Sequence, residues 1–145
     1  MTDSASATEW AINLRKELAL AAQQKQFDYG KWVLASLLTV HLGALLLISQ
    51  AGSSSAKLFQ ASGTWLIYGV IAALFTGGLA WINFTLAAIS HWKVIDSYLN
   101  GKEFKPSKRL SFGVNATFII SPILAIVSLV LFLVAAQSAL SVLNT

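Results

Sequence analysis

The chain is expected to be an all-α integral membrane protein, with three transmembrane helices preceded by an amphipathic N-terminal interfacial helix. Three observations carry this expectation. Only 11% of the 145 residues are charged against 56% apolar or aromatic, with a mean hydropathy of +0.67, whereas a soluble domain carries about 25% charged residues. Those charges are bunched: none falls in the 33 residues from Leu58 to Ser90 or in the 35 from Ser111 to Thr145. Ten cations and six anions placed this way cannot cover a compact water-soluble body. The same pattern excludes a disordered chain and, in spite of a pI of about 9.6, a nucleic-acid-binding domain. With no cysteine, disulfides, thiolate nucleophiles, thiolate metal sites and iron–sulfur clusters are excluded as well.

Residues 1–31 read as a cytoplasmic amphipathic helix. Ser6 and Glu9 stand in the S-x-x-E spacing of a capping box, so a helix is expected to start near Ala7. Trp10, Leu14, Leu18 and Ala21 or Ala22 then recur every three to four residues, while Glu9, Asn13, Lys16, Glu17 and Gln24 fall mostly elsewhere on the wheel. Such a helix suits a membrane surface, or a cytoplasmic partner. The segment lacks an apolar core followed by a small-residue cleavage site, so no removable signal peptide is expected.

A transmembrane domain, 32–145, is expected to follow, with spans at about 32–51, 65–90 and 110–136. A bilayer core needs about 20 apolar residues of helix, and each stretch supplies them. In hydrocarbon an unpaired backbone amide costs several kcal/mol, so so few segments must be helices. Trp32, Trp65, Tyr68 and Trp92 lie near the ends, as amphipathic rings do at the headgroup level. Gly52 to Gly63 reads as a short loop. Asn100-Gly101 is a turn signal ending a cytoplasmic extension of the second helix, and Pro106-Ser107 opens the third.

Orientation follows from the cations. Arg15, Lys16, Lys25 and Lys31 precede the first span, and Lys93, Lys102, Lys105, Lys108 and Arg109 fill the basic loop 91–109; only Lys57 lies in the first loop. The positive-inside rule then puts the N-terminus inside and the C-terminus outside a bacterial-type inner membrane. The basic loop is also suited to anionic lipid headgroups.

His41 is the one ionisable residue inside a span, roughly 13 Å from its start, and an intramembrane ionisable group is a functional candidate by default. On the wheel it lies away from Ser36 and Gly43 and opposite Thr39, which gives the first helix two protein-facing sides. Pro122 frees the carbonyl of Phe118, at a depth that matches His41, so His41 is expected to donate to that carbonyl or to Ser121. Ser36, Asn83 and Asn115 count to one polar layer about 6–10 Å from the cytoplasmic ends, with Asn83 and Asn115 in contact. Gly69, Ala73 and Gly77 form a small-residue row on which another helix can pack closely.

The sequence contains no H-E-x-x-H, G-x-S-x-G, P-loop or pair of intramembrane carboxylates. No catalytic residue, metal or cofactor is therefore expected. The leading expectation is a non-enzymatic assembly or accessory subunit that packs against itself or another membrane protein within the lipid bilayer. The runner-up is an oligomeric pore lined by His41 and a Thr117, Ser121, Ser128 ridge, similar in outline to phage holins but without their charged C-terminal tail. A haem- or quinone-linked subunit stands third, since the other histidine, His91, sits far from His41.

Overall fold

A computed structural model describes the backbone of residues 2–101 and 107–144, and the side chains of all of these but residues 2–8, 11, 15, 18, 22 and 98. The described chain is almost entirely helical. Helix α1 (Thr2–Ser49) is followed by a 3₁₀ turn (Gly52–Ser54), a single helical turn α2 (Ser55–Leu58) and a π-helical turn (Phe59–Gly63) that runs into α3 (Thr64–Leu99); α4 (Lys108–Leu143) completes the fold. Three of these helices are long and apolar enough to cross a membrane.

The expected separation of residues 1–31 from the first span has no counterpart in the backbone. Helix α1 is one 48-residue rod, about 72 Å long at 1.5 Å per residue. It starts at Thr2 rather than near Ala7, and the Ser6 side chain of the expected capping box lies outside the described side chains. The segment before Gly30 contains no proline or glycine to break the hydrogen-bond ladder. Instead of standing alone, it runs beside the far end of α3: Lys16, Ala19, Leu20 and Gln23 line a small hollow with Ala88, His91, Trp92 and Ile95. Of the expected apolar stripe, Trp10 is 67% exposed and Leu14 38%, so neither is covered by α3; the side chains of Leu18 and Ala22 lie outside those described.

The Gly52–Gly63 connection is wound into helical turns rather than an open loop. Gly52 carries φ +58, a left-handed conformation that a side chain would strain, and it closes α1. Ser62 is buried and donates to the Leu58 carbonyl at 2.7 Å. Leu58 joins Ile48, Leu66 and Ala135 in the best-buried apolar cluster, which ties this connector to all three long helices. At the opposite end, Gly101 with φ +59 turns the chain after α3, as the Asn100-Gly101 pair suggests.

Helix α3 is the central rod, touching α1 on one side and α4 on the other. Few side chains are buried, and large apolar ones such as Trp81, Phe112, Phe118 and Ile126 are more than half exposed. Rods this apolar and this exposed lack the polar cover that a soluble domain of this size requires.

Candidate functional site

Two polar places on the long helices stand out. One is His41, which is fully buried. Its Nδ1–H donates to the Leu37 carbonyl one turn earlier at 2.8 Å. A carbonyl can only accept, so in the neutral ring Nε2 is left as a bare acceptor. It is buried and has no hydrogen-bond partner. An orphan of this kind costs about 1–3 kcal/mol. The ring fits against Gly69, where any added Cβ would run into Nε2 and Cδ2. It also meets Phe132 edge-on, with centroids 5.6 Å apart.

The expected bond from His41 to Phe118 or Ser121 is therefore not made. Depth counted from predicted helix ends misleads here, because α1 and α3 continue well past those ends. The helices are aligned instead by their small residues: His41 lies opposite Gly69, and Leu34 packs where a Cβ on Gly77 would meet its Cδ2 at 2.6 Å. Across α3, Ser128 donates to the Gly69 carbonyl at 2.9 Å. His41 thus sits at the level of Ser128 and Phe132, while Phe118 lies about ten residues, or roughly 15 Å, away along α4. Ser121 donates to the Thr76 carbonyl at 3.2 Å. Helix α4 runs through Pro122 without interruption.

Asn83 is 9% exposed and joins α3 to α4, though not through Asn115. Its Nδ2 donates to the Val114 carbonyl at 2.7 Å and to Thr117 Oγ1 at 2.8 Å. Thr117 in turn donates to the Gly113 carbonyl. Asn115 is exposed, one position around the helix from Val114. Ser36 leaves the expected layer altogether, because the Leu34–Gly77 and His41–Gly69 contacts set it opposite the middle of α3 rather than near Asn83.

Ala73, in the middle of the small-residue row, is fully buried. Gly69 and Gly77 flank it, and all three face α1. The other side of α1 is bare: Ser36 and Thr39 are exposed, and a Cβ on Gly43 would meet nothing within 4 Å.

The second polar place is a cavity of about 200 Å³ between α3 and α4 at the end away from the connector. Ser90 and His91 from α3 face Ser107, Ser111 and Asn115 from the start of α4 across it, with Ala87, Leu110 and Val114 as its apolar wall. Lys93, Lys108 and Arg109 are exposed nearby; Lys102 and Lys105 lie outside the described residues. Sequence reasoning singled out Asn115 but not its companions. The spacing of Ser107, Ser111 and Asn115, one residue every four, is the signal that puts them on one face of a helix.

His91 lies 22 residues beyond Gly69 on α3, about 33 Å from His41's level, so the two imidazoles cannot share a ligand. Among the described residues, no three of His, Cys, Asp or Glu come together. No family model matches the chain, and neither a curated protein nor a solved structure is similar to it.

Proposed function

We propose that the chain is a multi-pass protein of a bacterial-type inner membrane, with its N-terminus and the 91–109 loop inside and its C-terminus outside. Within that membrane it acts as an assembly or accessory subunit, without catalysis, by packing against itself or another membrane protein. The observation that carries this reading is the two-faced α1. Its His41 side is filled by α3 and α4, while Ser36, Thr39 and Gly43 form a small-residue face that nothing among the described residues covers. In lipid such faces allow close backbone approach and gain dispersion contacts where Leu-rich faces gain little. Nine of ten cations on one side support the orientation.

The pore reading lacks comparable support. Thr117, Ser121 and Ser128, which would line a wet path, all hydrogen bond within the α3–α4 packing. The test is cysteine cross-linking at Gly43 in native membranes, with Phe118→Cys as the control. A Gly43→Cys chain that cross-links to a second copy or to a defined neighbour supports the accessory role. A chain that stays monomeric and alone in mild detergent, and that cross-links equally from position 118, overturns it. A reporter fused to Thr145 that is active only outside the cell checks the orientation.

A further inference from the structure

In an apolar medium a Ser, Thr or Asn side chain normally returns its hydrogen bond to a carbonyl of its own helix or its neighbour's. Much of α3 and the first part of α4 follow that habit, whereas Ser36 and Thr39 on the open side of α1 do not. Between Thr76 and Ser128, Thr76, Asn83, Thr85, Ser97, Asn100, Thr117, Ser121 and Ser128 all bond within the protein. Within this stretch the described exceptions are Ser90, Ser107, Ser111 and Asn115, whose side chains bond nothing in the protein; all four line one open cavity between α3 and α4, with His91 beside them, and all but Ser90 are exposed. Even Ser107, placed to cap α4, does not turn its hydroxyl onto the helix.

Three hydroxyls, a carboxamide and an imidazole around a single open hollow offer hydrogen bonds that the protein itself does not take up. The charge around them selects its sign. Lys108 and Arg109 follow Ser107 directly, and Lys93 is two residues past His91. On α3 the nearest acid, Asp96, already accepts from Asn100 at 3.0 Å. Trp92, 57% exposed, sits next to His91 as an indole does at a headgroup level. Phosphoryl oxygens only accept hydrogen bonds and carry negative charge, so they match both the donors and the cations. The hydroxyls and the carboxamide can accept as well as donate, so it is the cations that set the sign: a positively charged ligand would meet Lys93, Lys108 and Arg109 with like charge.

We propose, resting on the membrane reading above, that this cavity holds the phosphate of an anionic phospholipid, with Ser90, Ser111 and Asn115 as the groups that grip it and Lys108 and Arg109 as the charges that draw it in. Its specificity then lies in neutral side chains, which distinguishes it from diffuse attraction to a basic loop.

The experiment uses the purified full chain in a maltoside detergent, with bound ligand read by native mass spectrometry and by thermal melting. Three probes are added in turn: phosphatidylglycerol, a diacylglycerol with the same acyl chains, and inorganic phosphate. Phosphatidylglycerol is expected to bind and raise the melting temperature, and diacylglycerol is not. The double variant Ser111→Ala, Asn115→Ala, which keeps every charge, is expected to bind phosphatidylglycerol about tenfold more weakly or worse, as losing charge-assisted hydrogen bonds requires. Ser90→Ala is the second variant should the double one not fold, and Ser138→Ala, which bonds Val134 at the other end, is the control. Protection by inorganic phosphate with the same dependence on Ser111 and Asn115 would support the phosphate chemistry and assign it to a free phosphate. Equal binding of diacylglycerol, or full phosphatidylglycerol binding by the Ala variants, would overturn the proposal. A chain that stays dissolved without detergent would overturn the membrane reading and the lipid source, while the inorganic phosphate arm would still report on the cavity.

Discussion

Replacing Gly69 by alanine is the sharpest test of how these helices are held. The added Cβ runs into Nε2 and Cδ2 of His41. The ring is already held at two further points, edge-on against Phe132 and through Nδ1 on the Leu37 carbonyl at 2.8 Å. Overpacking of this kind costs about 1–3 kcal/mol, and breaking the Nδ1 bond adds about 0.5–1.5. Against this stands at most about 1 kcal/mol gained from alanine's helix propensity. The net expectation is a loss of about 1–3 kcal/mol, which at roughly 2–4 °C per kcal/mol lowers the melting temperature by about 2–12 °C. Melting in mild detergent reads this, with Gly78→Ala as the matched control, since a Cβ there meets nothing within 4 Å. Adding His41→Ala to Gly69→Ala empties the collision, so the double variant should be more stable than the two single effects sum to, by about 1–3 kcal/mol of coupling. Equal melting of Gly69→Ala and Gly78→Ala, or no coupling in the cycle, would refute the alignment of α1 on α3.

Other substitutions separate the contacts further. His41→Leu removes a buried acceptor that bonds nothing, a gain of about 1–3 kcal/mol, together with the Nδ1 bond to Leu37, a loss of about 0.5–1.5, so the melting temperature is expected to stay unchanged or rise; a drop larger than the Nδ1 bond accounts for would mean that Nε2 has a partner. Gly77→Ala meets the flexible end of Leu34, so its cost in the same melting assay should fall between those of Gly78→Ala and Gly69→Ala. Asn83→Leu loses two bonds to α4 and should cost about 1–2 kcal/mol in detergent unfolding, whereas Asn115→Leu should cost less than about 0.5. Equal losses at both asparagines would restore a direct Asn83–Asn115 contact.

Much of the architecture is legible in the residues alone. Uncharged runs longer than a bilayer is thick, the glycines at 52 and 101 and the row at Gly69, Ala73 and Gly77 are all local features, and local rules of helix length, backbone conformation and side-chain size act on them directly. That residues 1–31 and the first span form one continuous helix was not legible, because amphipathicity reports which face is apolar and not where a helix stops. Only the missing breaker before Gly30 bears on that.

What the tertiary structure alone decides is register. Whether His41 meets Phe118 or Gly69, and whether Asn83 finds Asn115 or Thr117, depends on how far one rod slides along another. The sliding is settled where side chains are smallest, at Gly69 and Gly77, and a shift of one turn, about 5.4 Å, exchanges every partner. Sequence spacing describes each helix in its own frame. Only the packing between helices supplies a common one, and it leaves Ser90, Ser107, Ser111 and Asn115 around a single empty space.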